Sequence, residues 1–181
     1  MRIILSVCAV IMLTACIGPG EIASFQKQSA GHFPDLVGIN LHGETVPVPQ
    51  SFEGEYNLVV VAFKREQQEQ VNEWIALADE LMKEYETLSF YELPVIYELP
   101  APMRSWINNG MRSGIPGPQA RSRTITIYTD REKFFAEMAM SEDYIYPLML
   151  DGKGKILWRG QGVPDDRQRT DILSLLNSDG A

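Results

Sequence analysis

Cysteine and basic charge are both scarce in this chain of 181 residues. Its two cysteines, Cys8 and Cys16, lie near the N-terminus, so the rest of the chain has neither a disulfide scaffold nor a cysteine-ligated zinc site. Lys and Arg number 16 against 24 Asp and Glu, which gives a formal net charge of -8. Nucleic-acid binding through phosphate neutralisation needs a net basic surface, so the composition argues against nucleic acid as a partner.

Catalytic motifs are missing as well. The sequence has no nucleophile elbow, P-loop or HExxH motif, and neither His32 nor His42 has an evident Ser or Cys partner. Asp151-Gly152 is typical of a hairpin turn, and Asp165-Asp166 is typical of a helix start. The sequence therefore predicts a protein that is not an enzyme, with no catalytic residues and no cofactor.

No apolar run is long enough to span a membrane, and the run near the N-terminus is typical of a signal peptide. Ile3 to Leu13 is too short to cross a bilayer, which needs about 20 apolar residues, but follows Met1-Arg2 as the core of a signal peptide does. Leu13-Thr14-Ala15-Cys16 resembles the bacterial lipobox, whose cysteine receives a diacylglyceryl group and becomes the mature N-terminus. The resemblance predicts a lipoprotein signal peptide over residues 1–15 and lipidation of Cys16.

A tether and one folded domain make up the remainder. Residues 16–32 are predicted to be the lipidated cysteine and a flexible tether rich in Gly, Ser and Gln, and residues 33–181 one domain. The acyl chains would anchor the protein to the membrane permanently. Many lipoproteins retained at the inner membrane have Asp after the lipidated cysteine, where this chain has Ile17. The expected location is the periplasmic side of the outer membrane if the source is Gram-negative.

Strands and helices are indicated by the hydrophobic period and by turn residues. Asn57 to Phe63 is a continuous β-branched run, typical of a strand buried on both faces. Apolar residues then recur at three- and four-residue steps, which predicts an amphipathic helix over 67–86 and hence a parallel β-α-β unit. Further predicted elements are hairpins at 37–48 and 146–159, strands at 88–96 and 124–128, and helices at 103–112, 131–138 and 165–176.

Three stretches resemble the thioredoxin fold of the peroxiredoxin and cytochrome-maturation families. They are Phe33 to Leu36, the strand Leu58 to Phe63 with its long helix, and Tyr146 to Asp151. The resemblance implies an α/β thioredoxin-like fold, in which helices flank a central mixed sheet, with an N-terminal hairpin and an inserted strand-helix unit. It also implies a cis peptide before Pro147, facing the former active site.

The thiols of that fold are missing here. In those families a redox cysteine follows the first long strand, a position that reads KREQQEQ over residues 64–70. Cys16 is the last cysteine of the chain, and lipid would consume it. Thiol peroxidase and disulfide-exchange chemistry therefore have no nucleophile in the mature chain.

A second resemblance is to the thioredoxin-like family of mitochondrial ATP synthase assembly factors and their bacterial relatives. That family lacks the redox pair and is implicated in assembling a membrane complex, so the resemblance implies a protein-binding, assembly or chaperone-like role in the cell envelope. The residues that carry it are Asn57 to Phe63, Gln67-Gln68, Val71, Trp74, Glu92 to Pro94, Gly110 to Arg112, Ile115-Pro116 and Thr124 to Thr126.

Copper handling by a thioredoxin-like envelope protein is the alternative function. The residues that could contribute ligands are His32, His42 and, since thioethers bind Cu(I), Met82, Met103, Met111, Met138, Met140 and Met149, of which only Met138 and Met140 are close together in the sequence. Met at helical or strand spacing usually fills gaps in a core, and no ligand set is assigned.

One stretch of the chain is positively charged, although the chain as a whole is negative. Leu99 to Thr129 contains four arginines and no acid. We expect Lys64, Arg65 and Pro147 to form one face with residues of this stretch, and this face to bind an acidic or anionic surface of an envelope protein partner. The alternative is that the arginines only pair with surface acids. The residues expected from the stretch are Arg104, Trp106 and Arg112.

Overall fold

A computed structural model describes residues 31–178 of the chain. The predicted signal peptide, Cys16 and residues 17–30 of the predicted tether lie outside the described residues. Gly31 is already tied to the fold, because its carbonyl accepts a hydrogen bond from the Ile156 amide at 2.9 Å. No helix within 31–178 is long and apolar enough to cross a membrane.

Strands and helices follow one another closely in the order expected from the sequence. Each named element is separated from the next by a short turn or loop, and a 3₁₀ turn at Arg65–Gln67 precedes the first helix. The elements are β1 (Leu36–Asn40), β2 (Thr45–Val48), β3 (Tyr56–Ala62), α1 (Gln68–Leu81), β4 (Leu88–Tyr97), α2 (Ala101–Gly114), α3 (Pro118–Arg123), β5 (Ile125–Thr129), α4 (Arg131–Met138), β6 (Tyr146–Asp151), β7 (Ile156–Arg159) and α5 (Asp166–Leu176).

The strands form one mixed sheet in the order β2-β1-β5-β4-β3-β6-β7. β3 runs parallel to β4 and β4 runs parallel to β5, while the other neighbouring pairs are antiparallel. The parallel unit predicted from the buried strand and its helix is therefore confirmed. β3, the first strand of this unit, is buried at every residue, as its continuous apolar sequence predicts.

Two apolar cores lie on opposite faces of the sheet, because successive side chains of a strand point to opposite sides. Leu58 and Val60 of β3 pack with α1 and α5. Val59 and Val61 pack on the other face with α4. β3 therefore packs into both cores, and its carboxyl end has a fixed position between them.

The sequence predicts the N-caps of two helices correctly, but it does not predict the end of α1 or the presence of α3. The side chain of Asp130 accepts a hydrogen bond from the Lys133 amide, and Asp165 starts α5 as a cap in the same way. The first helix ends at Leu81 rather than near residue 86, because the chain tightens into turns with i to i−3 hydrogen bonds at residues 83 and 84. The short helix α3 is not predicted by any hydrophobic period.

The peptide before Pro147 corrects one expectation. The cis peptide bond among residues 31–178 is Val48-Pro49, so Tyr146-Pro147 is trans and the prediction is wrong. Tyr146 and Pro147 are both in β6 and continue its register against β3. A trans peptide keeps the Cα spacing of about 3.8 Å that this regular ladder needs, whereas a cis peptide shortens it to about 2.9 Å.

Candidate functional site

Gln67 organises the loop after β3, where the thioredoxin resemblance places redox cysteines. Its buried side chain accepts hydrogen bonds from the amides of Phe63 and Lys64, at 2.8 and 3.0 Å. The other end of the same amide donates to the carbonyl of Glu142 at 2.9 Å. One side chain thus closes the loop and fastens it to the segment that precedes β6.

Ion pairs between the loop after β3 and the segment before β6 reinforce this closure. Lys64 Nζ lies 3.1 Å from Glu142 Oε1 and 3.7 Å from Asp143 Oδ1. The buried guanidinium of Arg131 reaches the other Glu142 oxygen at 2.9 Å and lies 4.2 Å from the centre of the Tyr97 ring. The hydrogen bond from Lys64, together with the charges of Lys64 and Arg131, lowers the pKa of the Glu142 carboxyl. The charge of Lys64 is therefore compensated within the chain.

Arg65 and Pro147, the other two residues expected beside this loop, differ in exposure. Arg65 is exposed and makes no ion pair within the described part of the chain. Pro147 is buried in β6, and Gly160 lies against it so closely that a Cβ there would be 2.9 Å from Pro147 Cγ. Pro147 thus supports the site from beneath and is not a surface that a partner can touch.

Three large apolar side chains are exposed around the loop, and the sequence analysis does not identify them. Tyr97 ends β4, Tyr144 precedes β6 and Val163 follows β7, with exposed fractions of 48, 49 and 42%. The β7 loop is held by a hydrogen bond from Trp74 Nε1 to the Gly162 carbonyl at 2.8 Å. We call these three residues with Arg65 the β3-end surface, since the strand polarities place all of them at one edge of the sheet.

Arg104, Trp106 and Arg112 lie on a second surface, formed by α2. Arg104 lies 5.7 Å from the centre of the Tyr128 ring, and Arg112 Nε donates to the Leu41 carbonyl. Within residues 31–178, no hydrogen bond, ion pair or ring contact joins these three residues to Lys64 or Arg65. The structure therefore shows no direct contact between the two groups of residues that were expected to share a face.

The two remaining arginines of the acid-free stretch have different partners. Arg121 donates to the carbonyls of Ile115 and Arg112, at 3.0 and 3.2 Å. Arg123 forms an ion pair with Asp79 at 3.0 Å. Of the four arginines, Arg123 alone has a carboxylate partner in the described part of the chain, so pairing with surface acids does not account for the other three.

The residues considered for copper are dispersed. His42 Nε2 lies 2.9 Å from the Pro118 carbonyl, and the backbone of His32 forms an isolated antiparallel β-bridge with that of Lys155. Met138 and Met140 are buried among apolar side chains. The described residues contain no group of three or more His, Cys, Asp or Glu that could hold a metal ion.

Glu92 is a buried carboxyl on β4, close to the start of α1. Thr124 Oγ1 lies 3.3 Å from Glu92 Oε2. Burial raises the pKa of Glu92 above its ordinary value of 4.5, against the lowering effect of hydrogen bonds from Thr124 and Gln68. The folded state therefore keeps this proton to a higher pH than the unfolded state does.

The pKa of Glu92 predicts a pH-dependent cost in stability. The protonated Glu92 carboxyl stabilises the folded state. This stabilisation is complete below the pKa of the unfolded state and is lost as pH rises through the pKa of the folded state. We expect Glu92→Gln to remove this loss. The free energy of unfolding of the variant should therefore increase relative to that of the original chain as pH rises above about 4.5. Urea unfolding of both chains across this range measures the difference. Parallel pH profiles would contradict the prediction.

Solved structures with the same fold include redox enzymes and an assembly protein. The thioredoxin domain of a thiol-disulfide oxidoreductase from Bacteroides vulgatus is 14% identical, with a TM-score of 0.51 over 82% of this chain and 98% of that domain. BsSco, of the Sco family of cytochrome c oxidase assembly proteins, is 15% identical, with a TM-score of 0.50 over 81% and 92%. A thiol peroxidase from Chromobacterium violaceum is 11% identical, with a TM-score of 0.50 over 85% and 88%. The predicted thioredoxin-like fold is confirmed.

Comparison by sequence assigns the chain to a family. No curated protein matches it. The sequence model of the ATP10 protein family matches residues 19–178, which include the whole described unit. Both resemblances inferred from the sequence are thereby confirmed.

Proposed function

Because the chain belongs to the ATP10 protein family, we propose that it is a non-catalytic assembly factor of the cell envelope. It is anchored by lipid on Cys16 and binds a protein client while a membrane complex is built. ATP synthase is the first complex to examine, since the sequence resembles its assembly factors. The proposal gives the thioredoxin-like domain the role of a binding scaffold.

The closed loop after β3 is the observation that carries the proposal. At the place where a thioredoxin enzyme has its thiols, this chain has Lys64 to Gln67, and residues 31–178 contain no cysteine. Gln67 and Lys64 fasten the loop to Glu142 through a hydrogen bond and an ion pair. A loop held in this way presents a fixed surface and no nucleophile, which suits binding rather than thiol exchange.

The β3-end surface provides the client contacts in this proposal. Tyr97 and Tyr144 combine a large apolar ring with a polar tip, and aromatic residues of this kind are enriched at protein interfaces. Arg65 adds a cation that no carboxylate neutralises within the described residues. A client segment with apolar and acidic residues fits this combination, and its attraction to Arg65 weakens as salt rises.

Loss of the β3-end surface should impair assembly of the complex. In cells that lack the protein, we expect less fully assembled ATP synthase on native gels of the membranes, and recovery with the original chain. A chain with Arg65→Glu and Tyr144→Ala should not restore it, because both contacts with the client are removed. Lys153→Glu is the matched control, since it reverses an exposed charge in the β6–β7 turn, at the opposite edge of the sheet.

Three results together decide this test. Immunoblotting must show equal amounts of each variant in the membrane. Normal assembly in cells without the protein would contradict the role in ATP synthase assembly. Full recovery with the Arg65→Glu, Tyr144→Ala chain would contradict the β3-end surface as the client site.

Lipid anchoring is tested separately. We expect Cys16→Ser to abolish labelling by a radioactive fatty acid and to leave the precursor uncleaved or mislocalised, because serine has no thiol to acylate. Cys8→Ser is the control and should be labelled normally, since Cys8 belongs to the predicted signal peptide. Normal labelling of the Cys16→Ser chain would show that the lipid is attached elsewhere or not through a thiol.

A further inference from the structure

The outer side of α2 is an uncharged ridge with a large exposed aromatic ring. Met103 and Trp106 have exposed fractions of 52 and 79%, and Gly110 continues the same side one turn later. Asn108 is the buried residue of this helix, and its Oδ1 accepts a hydrogen bond from the Tyr128 hydroxyl at 2.8 Å. The helix thus rests on the sheet by a polar contact and leaves its apolar side uncovered.

Positive charge surrounds this ridge. Arg104, Arg112 and Arg121 contact a ring or carbonyl oxygens, none of which carries a compensating negative charge. No acid occurs from Leu99 to Thr129, although the whole chain has a net charge of -8. The α2–α3 segment is therefore a local positive region on an acidic protein.

We propose that the α2 ridge docks on an anionic phospholipid surface. Tryptophan is enriched at membrane interfaces because its ring is apolar and its N–H is polar, and an amphipathic helix with flanking arginines lies in this layer. Hydrogen bonds to carbonyls hold Arg112 and Arg121 in place without neutralising their charge, so this segment keeps a fixed positive charge that attracts a layer of lipid phosphate groups.

The docking would orient the domain with α2 against the membrane. It depends neither on the lipid at Cys16 nor on the proposed assembly role, so failure of either proposal leaves the other open. In a lipidated protein, such docking would limit how the client surface faces the bilayer.

Tryptophan fluorescence provides a direct measurement. The chain from residue 16 onward with Cys16→Ser keeps the whole described unit and has no acyl group. Adding vesicles of phosphatidylcholine with phosphatidylglycerol should shift its emission to the blue, and phosphatidylcholine alone should not. The shift comes from Trp106, because Trp74 is buried and Trp158 is partly buried. Added salt should weaken the binding.

Variants distinguish the ridge from unspecific adsorption. Trp106→Ala should lose the shift and most of the vesicle sedimentation. Arg104→Gln should lower the partition constant about fivefold, the equivalent of roughly 1 kcal/mol for one basic residue near an anionic surface. Val37→Ala, at another exposed apolar residue, and Lys153→Gln, at another exposed cation, are matched controls that should bind like the original chain.

Several outcomes would overturn the proposal. They are the absence of a shift with the anionic vesicles, an equal shift with phosphatidylcholine alone, or unchanged vesicle binding by Trp106→Ala. If Trp106→Ala binds vesicles normally but fails to support assembly of the membrane complex in cells, α2 contacts an acidic protein instead.

Discussion

Replacing Trp74 with alanine is expected to lower the free energy of unfolding by about 3–5 kcal/mol. The side chain is fully buried in the core between the sheet, α1 and α5, and its removal leaves a cavity that this close packing cannot fill. The substitution also removes the hydrogen bond from Trp74 Nε1 to the Gly162 carbonyl. The loop that carries Val163 then loses its attachment beside the β3-end surface.

Urea unfolding followed by far-ultraviolet circular dichroism measures this effect. Trp106→Ala is the matched control, because it removes the same side chain from an exposed position and should change stability by no more than about 0.5 kcal/mol. Proteolysis near Gly162 should become faster in the Trp74→Ala chain alone. Similar stability losses in the two variants would contradict the contrast in burial on which the prediction depends.

Replacing Gln67 with leucine is expected to cost about 2–4 kcal/mol, although the two side chains are similar in size. The amides of Phe63 and Lys64 lose their acceptor, and a buried donor without a partner costs about 1–3 kcal/mol. The carbonyl of Glu142 also loses a donor. The loop after β3 should therefore detach from the segment before β6, and the client surface should lose its fixed shape.

Hydrogen exchange locates the effect of this substitution. The amides of residues 63 and 64 should lose protection in Gln67→Leu, while those of β3 itself exchange as before. Gln70→Leu is the control in α1, since Gln70 has no side-chain hydrogen bond within residues 31–178. Unchanged protection at residues 63 and 64 would show that Gln67 does not hold the loop.

Local order along the chain is largely readable from the sequence. β3 is buried because Asn57 to Phe63 contains no polar alternation, and α1 follows it because the apolar period changes to that of a helix. Asp130 and Asp165 mark helix starts because a carboxylate accepts from the free amides of the first turn. The sequence also shows that residues 31–178 contain no cysteine, so the domain that they form has no thiol of its own for exchange.

The composition of the surfaces depends on contacts between distant parts of the chain. Lys64 is neutralised by Glu142, which the sheet brings beside it because β6 pairs with β3. Arg112 turns towards the Leu41 carbonyl, so it is not part of a face with Arg65. No periodic pattern encodes such pairs, because hydrophobic period reports which side of an element is buried and not which distant group meets it.

The sequence by itself determined the order of the strands and of the helices other than α3, and the lack of cysteine after Cys16, while its resemblance to known families indicated the thioredoxin-like fold. Tertiary structure alone decided that Arg104, Trp106 and Arg112 make no contact with Lys64 or Arg65, and that Pro147 is covered by Gly160. The physical reason is that charges and rings are assigned to partners only when strands and helices meet in space. A guanidinium satisfied by a carbonyl and one left open to solvent have the same sequence signal.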